Sequence, residues 1–137
     1  MSTRTSLRPQ GVIPSPQGSP ANGASMAADI TSAPTLLQSL TMVNYQVAWT
    51  GSTPVGTLAV QASNDYTVNP EGGVTGGTWI NVPLDLAGVS VTSIPITGNT
   101  GNGMIDIDGI AAGAIRLFYD RTSGTGTLSA TVTAKVK

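Results

Sequence analysis

The sequence predicts an all-β fold, an antiparallel β-sandwich or jelly roll carrying an extended N-terminal arm. Three observations predict it. Thr127 to Val136 reads T-L-S-A-T-V-T-A-K-V, with Leu128, Ala130, Val132, Ala134 and Val136 alternating against hydroxyl-bearing residues and Lys135. Side chains of a strand alternate between faces, so this pattern gives one apolar and one polar face, whereas a helix would scatter the five apolar positions. Similar short runs recur upstream, separated by clusters of Gly, Pro, Asn and Ser, which is the spacing of strands joined by turns. The first 35 residues, finally, hold five of the nine prolines. Proline cannot donate to a ladder and biases its predecessor away from helix, so that stretch reads as extended.

Taken in order, residues 1–35 form the proline-rich arm and residues 36–137 the sandwich domain. Leu7, Val12, Ile13 and Ile30 are isolated apolar anchors within the arm. They fit either a plain tail or an arm that orders across a neighbouring subunit. Ala33 to Leu40 is open between a turn of helix and a first edge strand. Met42 to Trp49 is a strand with Val43, Tyr45, Val47 and Trp49 on one face. Gly51 to Gly56 is a turn cluster, and Thr57 to Ser63 a strand with Leu58, Val60 and Ala62 inward.

Asn64 to Gly77 is a long polar loop, followed by a strand over Thr78 to Val82 around Trp79. Val89 to Ile96 is β-branched, with Pro95 restricting its end to an edge and Ile94 or Ile96 facing inward. Gly98 to Gly103 reads as a tight turn and Met104 to Ile107 as a strand. Ile115 to Tyr119 is another, joined by a linker over Asp120 to Gly126 to the final strand.

At 137 residues the chain has room for one domain. Histidine and cysteine are both absent, which removes the usual general base, thiolate ligands and disulfides. Charged residues make up 9% of the chain, against roughly a quarter in ordinary domains. Such a surface suits burial against neighbours, because each buried unpaired charge is costly. Net charge is −1 and no lysine precedes Lys135, so there is no basic patch for nucleic acid or anionic lipid. No apolar run reaches the length of a membrane span, and no apolar stretch follows the first arginines as a signal peptide requires.

The candidate chemistry is sparse. Asp106 and Asp108 sit two apart, so their carboxylates leave one face of a strand roughly 7 Å apart. They lack a third nearby acid, and Ile105 and Ile107 explain the spacing as a solvent-facing strand, so neither a cation site nor a glycosidase pair is expected. The serines have no histidine to activate them, and the Gly-rich segments lack the Lys-Ser/Thr of a phosphate loop. No enzyme activity, catalytic residue, metal or cofactor is expected. Trp49 and Trp79 fall on strand patterns and are expected in the core. Tyr66, in the long loop, is the best exposed aromatic. Arg116 faces away from Ile115 and Leu117, for a buried ion pair with Asp85, Asp106 or Asp120 or for a subunit contact. Tyr66, Arg116 and Arg121 are the candidate partner or glycan contacts.

The segments Tyr45-Gln-Val-Ala-Trp-Thr-Gly-Ser-Thr-Pro-Val-Gly and Val60-Gln-Ala-Ser-Asn-Asp65, then Trp79, then Ile115-Arg-Leu-Phe-Tyr-Asp-Arg-Thr-Ser-Gly-Thr-Gly-Thr-Leu128 resemble a group of small tailed-bacteriophage virion proteins. The resemblance runs from Val43 to Lys137 and leaves the arm outside it. It implies a virion structural protein, with a capsid decoration or cement protein as the leading expectation. The partners would then be the major capsid protein and further copies of the chain as a homo-oligomer. The alternative is a tail, fibre or baseplate module that binds host-surface glycan. A second similarity, to discoidin-like sandwiches through Val60 to Asp65, Trp79 and Ile115-Arg116, would make Tyr66 and its loop a glycan-binding rim.

Overall fold

The computed structural model describes residues 21–37, 40–71, 73–86 and 88–135. Among them there is no helix, and every strand pairing is antiparallel. The strands are β1 (Ala21–Ser25), β2 (Ile30–Thr31), β3 (Thr35–Leu36), β4 (Met42–Ser63), β5 (Thr67–Val68) and β6 (Val74–Thr75). They continue with β7 (Ile80–Asn81), β8 (Leu84–Leu86), β9 (Val89–Val91), β10 (Ile94–Ile96), β11 (Thr100–Asp108) and β12 (Ala114–Lys135).

Two strands organise the rest. β4 and β12, each 22 residues long, pair from Ser63 opposite Ala114 to Met42 opposite Lys135. A straight strand of that length would span about 70 Å, about twice the diameter of a compact domain of this size. The ribbon therefore has to bend, and its register breaks at the middle, between Arg121 and Ser123 and again between Ser123 and Thr125. Opposite the break, Thr53 has φ 45° and Gly124 has φ 80°. Bulges of this kind add local bend and twist.

The bulges also change which residues point inward. Val43, Tyr45 and Val47 are buried in the first half of β4, but Leu58 and Val60 in the second. β12 switches likewise, from Ile115, Leu117 and Tyr119 to Leu128, Ala130, Val132 and Ala134. An unbroken pleat would keep one parity throughout. Shifting it by one residue in each strand lets both halves turn their apolar faces to one core cluster.

Shorter strands border the ribbon. Along one half the order is β11-β4-β12-β1, while along the other β10 and β7 border β4, and β2 and β3 border β12. Residues 21–36, in the proline-rich segment by composition, thus pair with their own chain's β12. Leu7, Val12 and Ile13 lie outside the described residues, whereas Ile30 pairs opposite Tyr119 and packs half-buried on the core.

Several boundaries differ from the sequence reading. Gly51 to Gly56 is not a turn and Asp120 to Gly126 is not a linker; they face each other as the middle of β4 and β12. Their small residues answer a close approach, since a Cβ on Gly51 would collide with the Thr125 and Gly126 backbone. β11 already begins at Thr100 within the expected turn, and the Val89 to Ile96 run is split into β9 and β10. The strand around Trp79 contracts to Ile80–Asn81, and the loop before it contains the β5–β6 hairpin.

Candidate functional site

Three surface regions follow from this frame. The first is the outer face of the β11-β4-β12 layer. The residues opposite the buried Val43, Tyr45 and Val47 are Asn44, Gln46 and Ala48, and across from them on β12 stand Thr133, Thr131 and Ser129. Thr50 Oγ1 and Thr127 Oγ1 meet at 3.4 Å at the end of the row. The face is broad and, across β4 and β12, rich in hydroxyl and amide groups. A shallow groove of about 390 Å³ runs over it, lined by Met42, Val43, Asn44, Met104, Asp106 and Thr133. Asp106 and Asp108 both stand exposed on this side of β11, as their spacing predicts, with Asn44 Nδ2 donating to Asp106 Oδ1 at 3.4 Å. Among the described residues no group of three or more acidic side chains is placed to hold a metal ion.

The second region is on the outer face of the ribbon's other half. Arg116 stands opposite Gln61, and its Nε donates to Gln61 Oε1 at 2.9 Å. Gln61 Nε2 donates in turn to Asn81 Oδ1 at 3.1 Å, linking the ribbon to β7. The Trp79 ring covers the guanidinium, with Cζ 4.3 Å from the ring centroid. Trp79 is therefore not a core residue: it is half-buried over Arg116 just before Ile80, which pairs opposite Ala62. The indole Nε1 donates to the Gly76 carbonyl at 2.9 Å. The described partners of Arg116 are a π face and an amide rather than the carboxylate that an ion pair would supply. Burial under the indole pulls its pKa below the ordinary arginine value.

The third region is the base of the loop after β4. Asp65 Oδ1 accepts from the Thr78 N–H at 2.7 Å and from Ser63 Oγ at 2.9 Å, fastening the two ends of the loop together. These hydrogen bonds, the Thr78 amide foremost, hold the Asp65 carboxyl below its ordinary pKa. Tyr66 is half-buried: a Cβ on Gly113 would fall 2.7 Å from its ring, so the absent side chain makes its seat. Beside it lies a depression of about 460 Å³ lined in part by Asn64, Asp65, Ile80 and Asn81. Ile80 is 67% exposed at its rim.

Of the sequence candidates, Tyr66 and Arg116 occupy neighbouring regions, while Arg121 sits at the bend. Arg121 Nε donates to the Gly124 carbonyl at 2.9 Å and its backbone N–H to Asp29 Oδ1 at 2.8 Å. Sequence reasoning missed the pairing of Trp79 with Arg116 and the continuity of the hydroxyl and amide face across β4 and β12. The alternating Thr and Ser of β12 signalled the latter; nothing local signalled the former, because it depends on a loop return.

The architecture is that of an all-β protein whose antiparallel sheet is built on one bent two-stranded ribbon. The crystal structure of the SPBc2 prophage-derived protein YomS shares this fold, with a TM-score of 0.52 at 11% identity over 85% of this chain and 91% of that one. At that identity the likeness speaks for the fold alone. No protein-family model and no curated protein matches the chain.

Proposed function

We propose that the chain is a non-enzymatic bacteriophage virion structural protein that decorates the capsid shell, seated across neighbouring major-capsid subunits. The observation that carries this reading is the broad outer face of β4 and β12, populated by hydroxyl and amide side chains from Asn44 to Thr50 and from Thr127 to Thr133, with Asp106 and Asp108 confined to its β11 border. That β4–β12 part can be buried without stranding charges. The sequence resemblance to small virion proteins supports the same reading, as does the fold shared with a protein of prophage origin. Attachment works by area burial over many copies, so each contact need only be modest. Electron cryo-microscopy of particles with and without the protein tests it. Density at regular positions over the shell is expected; density confined to the tail or a single vertex would overturn it.

One observation favours a second reading, a tail, fibre or baseplate module that binds glycan. Trp79 holds a half-exposed indole over Arg116, near the depression with Asn64, Asp65 and Asn81. Aromatic rings beside amides and a carboxylate suit a sugar. Trp79→Ala and Tyr66→Ala would abolish glycan-array binding under this reading and leave shell occupancy unchanged under the first.

A further inference from the structure

β11 has a neighbour on one side. Among the described residues it pairs with β4 over its whole length, Thr100 to Asp108, and with no strand on its other edge. Edge strands offer a row of backbone donors and acceptors, and proteins usually blunt them with proline, lysine or a bulge. β11 contains neither residue and its register is unbroken. On its outer side it presents the exposed Met104 and Asp106, and on its inner side the buried Ile105 and Ile107.

A matching strand lies elsewhere in the sequence. Ser2 to Arg8 reads S-T-R-T-S-L-R, with no proline before Pro9. Extended, it would carry Arg4, Ser6 and Arg8 on one face and Thr3, Thr5 and Leu7 on the other. Arg4 and Arg8 are the charged side chains of the first 20 residues, and all the acidic residues come later. Set antiparallel to β11 with Ser6 opposite Asp106, the segment places Thr5 opposite Ile107 and Leu7 opposite Ile105. Arg4 and Arg8 then flank Asp106 on both diagonals, within reach of long side chains.

We propose that Ser2–Arg8 of one copy adds to β11 of a neighbouring copy as an antiparallel strand. The inference rests on the assembly role proposed above and names the contact that links the copies. The neighbour's edge is favoured over the chain's own by direction. Ala21 enters β1 on the rung of Ala130, Val47 and Gly103, and upstream residues head toward the rung of Lys135, Met42 and Asp108. The chain's own segment would therefore meet β11 at its Asp108 end and lie parallel to it. Every described pairing in this sheet is antiparallel, and parallel pairing is the weaker. An antiparallel segment on the chain's own edge would start with Arg8 opposite Met104, one rung from that of Ala21. The dozen residues from Pro9 to Pro20, about 40 Å at most, would then have to leave the line of β1 and cross about 19 Å of sheet over its outer face, covering the surface that the assembly role leaves for a partner.

The chain has no cysteine, so engineered pairs report cleanly. Thr5→Cys and Ile107→Cys chains, mixed under mild oxidation and shown folded by circular dichroism, are expected to give a reducible heterodimer. A disulfide that forms only within a doubly substituted chain would place the segment on its own edge and overturn the proposal. No disulfide in either format would also overturn it. Charge reversal keeps the question open to test if Ile107→Cys does not fold. Arg4→Asp with Arg8→Asp should weaken self-association at least tenfold in sedimentation velocity, and Asp106→Arg in the partner should restore it; unchanged association would refute the contact. Cross-linked copies of a protein that virions lack would sink the virion reading and leave this one standing.

Discussion

The Arg116 guanidinium carbon lies 4.3 Å from the centre of the Trp79 ring, and this contact ties the loop that precedes β7 to the central ribbon. A partly desolvated cation over an indole contributes about 0.5–1 kcal/mol or more. Arg116→Ala, Trp79→Ala and the double variant should show a coupling of about that size in urea denaturation. Additive losses would mean that the contact is geometric only.

Thr53 holds φ 45°, a region that β-branched residues rarely occupy. Its N–H donates to Asn99 Oδ1 at 2.7 Å, while the Gly51 N–H donates to the Asn99 carbonyl at 2.7 Å, so Asn99 secures the bulge from the β10–β11 turn. Thr53→Asn should raise stability by about 0.5–1 kcal/mol, because asparagine tolerates this conformation. Gly124→Ala should lower it by about 1–3 kcal/mol, since a Cβ there meets the Thr53 carbonyl at a positive φ. Urea midpoints would read both.

Asp65 titrates below the ordinary aspartate range because Thr78 and Ser63 donate to its charged form. A depressed folded pKa contributes stability that is present above the unfolded pKa and lost as pH falls through the folded one. The loop closure should therefore persist at neutral pH and loosen only in strong acid. The Thr78 amide proton shift, followed by NMR, should report a midpoint below that of a free aspartate. Asp65→Asn should remove the transition.

Tyr45 is 0% exposed, and its hydroxyl has no hydrogen-bond partner among the described residues. Burial accordingly raises its pKa. Tyr45→Phe should leave thermal stability unchanged or slightly higher, because a buried unpaired hydroxyl costs about 1–3 kcal/mol. Tyr45→Ala should cost about 3–5 kcal/mol by opening a cavity.

Truncations separate the two parts of the proline-rich segment. Removing residues 1–20 should cost only the stability that self-association through Ser2–Arg8 adds, read as a melting temperature that no longer rises with protein concentration. Removing 1–35 should cost about 2–5 kcal/mol through Met26 alone, which is 0% exposed in the core. It also removes Ser32 Oγ, which accepts from the Leu117 N–H at 2.8 Å.

The sequence was most legible where the pleat is unbroken. Val43, Tyr45 and Val47, Leu58 and Val60, and Leu128 through Ala134 face inward as their alternation predicts. It was least legible where two turn-like clusters support each other. Gly51 and Gly126 each look like a chain reversal alone, and only their pairing across the ribbon makes them strand. The surface was partly legible: the hydroxyl face follows from alternation, but Trp79 over Arg116 and Tyr66 against Gly113 depend on where a loop returns. Composition likewise marks residues 21–36 as unlike the rest without revealing that they pair with β12.

The β4–β12 ribbon also sets the order of events during synthesis. Its innermost rung joins Ser63 to Ala114 and its outermost joins Met42 to Lys135, so no rung can close while β12 is still inside the ribosome. Until then β4 has only the shorter β7, β10 and β11 beside it and its other edge stays open, and β1, β2 and β3 have no strand to pair with. Folding dominated by such distant pairings is slow and open to aggregation. The nascent chain is therefore expected to stay protease-sensitive until the last strand emerges, and then to gain protection across the whole sheet in one step.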